Sequence, residues 1–181
     1  MPAVSLRHGG WLRARQAGRR SGRWFAGCFA TQIVNALLRP AEALPAGGEP
    51  VVIDTNIALD ILVFADAAAA PLRQALADGE LHWLATQAMR DELERVLAYP
   101  QIVSRLAFYQ LTVDKVLSVF DATVRLCDAP GKSVLTCRDA DDQKFIDLAI
   151  SHQALLLSKD KHILSMRKRI LACGARAQPA M

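Results

Sequence analysis

The sequence predicts an α/β fold: a mostly parallel sheet of about four or five strands, flanked by helices and carrying a helical hairpin insertion. Three observations lead there. From Val51 onward, short apolar runs that stop on polar residues alternate with longer amphipathic stretches, as strands joined by crossover helices do. A composition of 52% apolar and 22% charged residues is that of a soluble globular protein. A chain of 181 residues can bury a full core and is most simply one domain.

The domain is expected to begin after a leader. Residues 1–49 carry seven arginines against Glu42 and Glu49, so the formal charge of +4 resides there and the rest of the chain is close to neutral. Pro40, Pro45, Gly47, Gly48 and Pro50 crowd the end of that stretch, and such residues cannot continue a helix or sit in a central strand. Three readings of the leader stand side by side: a solvated or partly helical extension, a non-native translation start, and a functional arm for phosphate backbones or targeting. Residues 50–175 are expected to form the domain and residues 176–181 a C-terminal tail.

Within the domain, Val51-Val52-Ile53 reads as the first strand, with helical stretches from Ile57 to Ala65 and Pro71 to Ala77. Pro71 suits a first helical turn and Gly79 a C-terminal cap. Leu81 to Ala85 reads as the second strand and Thr86 as the N-cap of a helix over Gln87–Ala98, where Met89, Leu93, Val96 and Leu97 keep helical spacing before Pro100. Two amphipathic segments, Ile102–Gln110 and Val113–Leu126, form the predicted hairpin insertion. Val134–Cys137 is the third strand candidate, followed by a helix over Gln143–His152. Ala154–Leu157 is the fourth, and Ile170–Cys173 a candidate fifth.

This layout concentrates carboxylates. Asp54 follows the first strand, Asp139, Asp141 and Asp142 follow the expected third, and Asp160 follows the fourth. Ligands of parallel α/β sheets bind beyond these carboxyl ends. Glu92 lies in the helix after the second strand and can face the same edge. Acids gathered in one cleft repel one another unless a cation intervenes. A hard divalent ion with oxygen ligands fits an acidic cluster lacking His and Cys, and points to metal-assisted chemistry on phosphates. Asp is also an ordinary helix N-cap, which is the plainer role for Asp54, Asp139 or Asp141.

Other features are less informative. Cys28, Cys127, Cys137 and Cys173 are scattered without metal-ligand spacing and read as reduced, mostly buried thiols, consistent with a cytoplasmic protein. No apolar run approaches the ~18 residues of a membrane span. Trp83, Phe108, Tyr109 and Phe120 sit in periodic apolar contexts and read as core or dimer contacts. Arg90, Arg95, Arg138, Lys144, Lys159, Lys161 and His162 flank the acidic motifs; phosphate contact and solvated surface are both open to them.

Four motifs in order carry a family resemblance: Val52-Ile53-Asp54-Thr55-Asn56; Asp91-Glu92-Leu93 ahead of Tyr99-Pro100; Arg138-Asp139-Ala140-Asp141-Asp142-Gln143-Lys144-Phe145; and Ser158-Lys159-Asp160-Lys161-His162. Over about residues 51–170 the chain resembles PIN-domain ribonucleases, in particular the prokaryotic toxin–antitoxin (VapC-like) branch. The resemblance implies a three-layer, Rossmann-like PIN fold. It also implies a catalytic and metal-binding set of Asp54, Glu92, Asp142 and Asp160, with Asp139 and Asp141 as alternatives for the third acid and Thr55 and Asn56 in support.

The implied activity is an endoribonuclease using one or two Mg²⁺ or Mn²⁺ ions to activate water against a phosphodiester, leaving a 5′-phosphate and a 3′-hydroxyl. Implied partners are single-stranded RNA, a cognate antitoxin and a second copy of the chain. Two rivals remain: a non-catalytic PIN-like module that binds RNA or protein, and a haloacid-dehalogenase-like phosphatase. The latter needs a second Asp where Asn56 stands.

Overall fold

The computed structural model describes residues 47–64 and 66–179. The leader through residue 46, and every expectation about it, lies outside the described residues.

The sheet has five strands, β1 (Glu49–Ile53), β2 (Leu81–Thr86), β3 (Arg125–Cys127), β4 (Leu155–Leu157) and β5 (Arg176–Gln178), ordered β3-β2-β1-β4-β5 with every pair parallel. Helices cover it: α1 (Thr55–Leu62), α2 (Ala70–Ala77), α3 (Gln87–Leu97), α4 (Pro100–Tyr109), α5 (Val113–Thr123), α6 (Gln143–Ser151), α7 (Lys161–Ser165) and α8 (Arg167–Ala172). A short 3₁₀ turn, Ala67–Ala69, leads into α2. This is the three-layer α/β arrangement that the alternating pattern predicts.

Central position explains the sequence of the middle strands. Val51 and Val52 of β1 and Leu156 of β4 are fully buried, because a parallel strand with layers on both faces has no solvent side and reads as a continuous apolar run. α6 packs on β1 and β4, and α2 and α3 pack on β2. Trp83 of β2 meets Phe120 of α5 edge-on, with ring centroids 5.2 Å apart at 78°. Gly79 takes φ 74° where the chain leaves α2 for β2, a left-handed conformation that costs glycine little. No single helix among the described residues is long and apolar enough to cross a membrane.

Three local assignments differ from the sequence reading. The segment expected to stay helical to Leu126 leaves the helix at Val124, which is extended (φ −94°, ψ 138°), and continues as β3, with Leu84 of β2 opposite Arg125. Val134–Cys137, the expected third strand, pairs with no strand. Its polar groups go to side chains instead: Gln143 Oε1 accepts from the Cys137 amide at 2.7 Å, and Gln143 Nε2 donates to the Leu135 carbonyl at 2.9 Å. Ile170–Cys173, the candidate fifth strand, is the end of α8 and the residue beyond it. β5 is instead Arg176–Gln178, residues the sequence reading leaves to the tail. Short apolar runs do not distinguish strand from helix, and three-residue edge strands are specified by their neighbour in the sheet. The two insertion helices, α4 and α5, each pack on α3.

Candidate active site

Strand order reverses about β1: the chain runs outward from β1 through β2 to β3, then returns on the other side as β4 and β5. Parallel sheets open a crevice at such a switch, beyond the strand carboxyl ends. Asp54 and Ser158 occupy that place between β1 and β4, where the Asp54 amide donates to the Leu157 carbonyl at 3.0 Å.

Asp54 is both the end of β1 and the N-cap of α1. Its Oδ1 accepts the Ile57 amide at 3.0 Å; its Oδ2 accepts the Ser158 hydroxyl and the Lys159 amide, the latter at 3.2 Å. The carboxyl is 4% exposed. Burial raises its pKa above the usual carboxylate value, opposed by the Ser158 hydroxyl and the amides of Ile57, Lys159 and Asn56. The helix-cap reading of Asp54 is what the structure shows, and the cap is a buried acid.

Ser158 extends the link. Its hydroxyl oxygen also accepts the Asp160 amide at 2.9 Å, and the Asp160 carboxylate caps α7 by accepting the His162 amide. Across the cleft, Thr55 Oγ1 donates to Glu92 Oε1 at 2.7 Å, and the Lys144 ammonium forms an ion pair with Glu92 Oε2. Thr55, rather than the Asn56 side chain, supplies a side-chain hydrogen bond to an acid.

Asp142 precedes α6 and makes no side-chain cap hydrogen bond. Its pKa is pushed up to about 7, first by burial and then by the negative charges of Asp160, Asp139, Asp54 and Glu92. Asp139 and Asp141 are exposed, and Asp139 Oδ1 accepts the Asp141 amide at 3.0 Å in a local turn. Asp142, the expected third acid, is half-buried and pressed by charges from the other motif segments.

Some contributors carry no motif. Asp60 is a buried carboxylate inside the apolar helix α1, ion-paired with Lys159, so that α1 and the loop after β4 are tied together beside Asp54. Its signal in the sequence is a lone acid in the run Ile57–Val63. Gln143 and Asp147, one turn apart on α6, hold the segment before the acidic loop: Asp147 Oδ1 accepts the Ser133 amide at 2.9 Å and Gln143 Nε2 at 2.7 Å. Among the flanking bases, Arg90 is engaged by Asp121 and Glu94 on the helical surface.

Among the described residues, no three His, Cys, Asp or Glu side chains are gathered closely enough to cage an ion. The donor set fits a hydrated Mg²⁺ or Mn²⁺ all the same. Such ions use one or two carboxylates and keep several waters, the motif acids offer only oxygen donors, and the charges at this edge act against one another at Asp142.

Residues 50–162 match the PIN domain family. This chain belongs to the PIN domain family. PIN domains are generally nucleases and usually bind Mg²⁺ or Mn²⁺, so nucleic acid is the substrate class the family brings. The uncharacterized protein MJ1680 of Methanocaldococcus jannaschii is 25% identical over 117 residues, covering 65% of this chain and 74% of that protein. No solved structure matches.

Proposed function

We propose that this PIN domain is a metal-dependent endoribonuclease whose active centre is Asp54, Glu92, Asp142 and Asp160. What supports the reading is that the negative charges of Asp160, Asp54 and Glu92, from three other chain segments, all act on Asp142, whose carboxyl is pushed up to about 7 chiefly by burial. The domain is taken to comprise residues 50–175 together with the β5 residues.

The chain's own groups prepare the site. Ser158 and the Lys159 amide fix the rotamer of Asp54, and Thr55 fixes that of Glu92. Fixed carboxylates lose little freedom when they bind, which keeps the geometry ready for reaction. One or two Mg²⁺ or Mn²⁺ ions, held by Asp54 and Asp142 with Glu92 and Asp160 directly or through water, would activate the attacking water and neutralise charge on the phosphate. A cation held there would favour the ionised form of Asp142, whose carboxyl is pushed up to about 7 by burial and by the neighbouring acids.

A toxin role, with a cognate antitoxin, a homodimer and a cytoplasmic site of action, is proposed on the family resemblance. Its test is growth arrest on expression, relieved by co-expressing a short neighbouring gene. The nuclease reading is tested with single-stranded RNA and Mg²⁺ or Mn²⁺, with Asp54→Asn as the control. Asn still caps α1 but its NH2 cannot accept the Lys159 amide, so the fold should persist with reduced stability while cleavage is lost. An unchanged rate in Asp54→Asn sinks the mechanism.

A further inference from the structure

Lys144 stands inside the acidic site instead of around it. It lies in the first turn of α6, directly after the acidic loop, and its side chain is 25% exposed. Its ammonium meets Glu92 Oε2 as an ion pair, donates to the Asp141 carbonyl at 2.6 Å, and lies 5.1 Å from the Phe145 ring centroid. Glu92 Oε2 is buried and has no hydrogen bond, so this cation is its partner. The other oxygen of Glu92 is fixed by Thr55. The carboxylate is therefore held at both ends, and it holds the ammonium in turn.

An ammonium has three protons. Two contacts leave a donor for a third group, and the partial exposure gives that group access. The acceptor that an ammonium binds most strongly is an anionic oxygen. Lys159, the other lysine close to Asp54, is engaged with the buried Asp60.

We infer that Lys144 is a substrate-binding residue, donating to a non-bridging oxygen of the RNA phosphodiester at the acidic edge, with Glu92 as the residue that positions it. This rests on the nuclease reading. It gives Glu92 work that does not require direct ligation of a metal. It also places a cationic donor at the site that does not depend on an ion being bound.

The alternative is that the Lys144–Glu92 pair merely ties α6 to α3. The experiment compares wild type, Lys144→Gln and Lys144→Arg in three measurements: cleavage of a single-stranded RNA oligonucleotide with Mg²⁺, binding of that RNA in Ca²⁺ over a range of salt, and thermal unfolding. A charge-assisted hydrogen bond predicts a fall in kcat/KM of roughly 10- to 100-fold in Lys144→Gln. Loss of one phosphate contact on a single strand flattens the slope of log K against log salt by about 0.7. Lys144→Arg should keep that slope.

Cleavage by Lys144→Gln within about twofold of wild type overturns the inference. So does lost activity with an unchanged salt slope, because a tether does not alter the number of phosphates neutralised. Should wild type cleave no RNA, the nuclease reading fails, and the binding measurement still decides on Lys144: a flattened slope supports it and an unchanged one overturns it.

Discussion

Replacing Asp142 by Asn removes one negative charge from a cleft in which Asp160, Asp139, Asp54 and Glu92 all press on it. The carboxyl titrates at about 7 in the fold against 3.8 ordinarily. A group whose pKa is raised by folding favours the folded state when protonated. Its contribution is fully present below the unfolded value and is lost as pH rises through the folded one. Felt in full, that displacement is worth roughly 4 kcal/mol. Asp142 is only half-buried, and solvent screening brings the expected effect to about 1–2 kcal/mol.

Without divalent cations, Asp142→Asn should therefore be more stable than wild type at pH 8 by about 1–2 kcal/mol, or roughly 2–8 °C in Tm. The gap should shrink toward zero near pH 4, where the wild-type carboxyl is protonated. Mg²⁺ should also narrow it at pH 8, by supplying the charge that the acids lack. Thermal melts across pH, with and without Mg²⁺, measure each part. A variant that is less stable than wild type at pH 8, or a gap that does not change with pH, refutes the electrostatic reasoning. A stabilised protein that has lost cleavage would be the usual trade between stability and function at an active site.

Gln143→Ala removes the side chain that binds the Cys137 amide, the Leu135 carbonyl and Asp147. It should cost about 1–3 kcal/mol, speed amide exchange at Cys137 and slow cleavage with the helical circular dichroism retained; unchanged exchange would count against the clamp. Phe120→Ala empties the edge-on contact with Trp83 and should cost about 3–5 kcal/mol in urea unfolding. A loss below about 1 kcal/mol would mean the site collapses around the missing ring.

What was legible in the sequence was whatever short-range pattern dictates. The run Val51–Ile53 ending on Asp54, the helical spacing of α3, and the first turn of α6 all depend on neighbours a few residues away, and all lie where the alternation puts them. β3 and β5 were not legible, because three residues at a sheet edge carry no periodicity and owe their conformation to Leu84–Thr86 and Leu155–Leu157 across the ladder. Val134–Cys137 resembles a strand in composition but is claimed by Gln143 on a later helix, with Asp147 of that helix holding Ser133 just before it.

The sequence by itself determined the parallel α/β class and put Asp54 and Asp160 just beyond the ends of β1 and β4, since short-range pattern fixes where those strands stop. Only the tertiary structure decided how the acids are held: that Ser158 and Lys159 close over Asp54, that burial and the charges of Asp160, Asp139, Asp54 and Glu92 act on Asp142, and that Lys144 lies against Glu92. These are contacts between residues up to about a hundred positions apart in the chain. Burial and charge act through space, and only folding sets those distances.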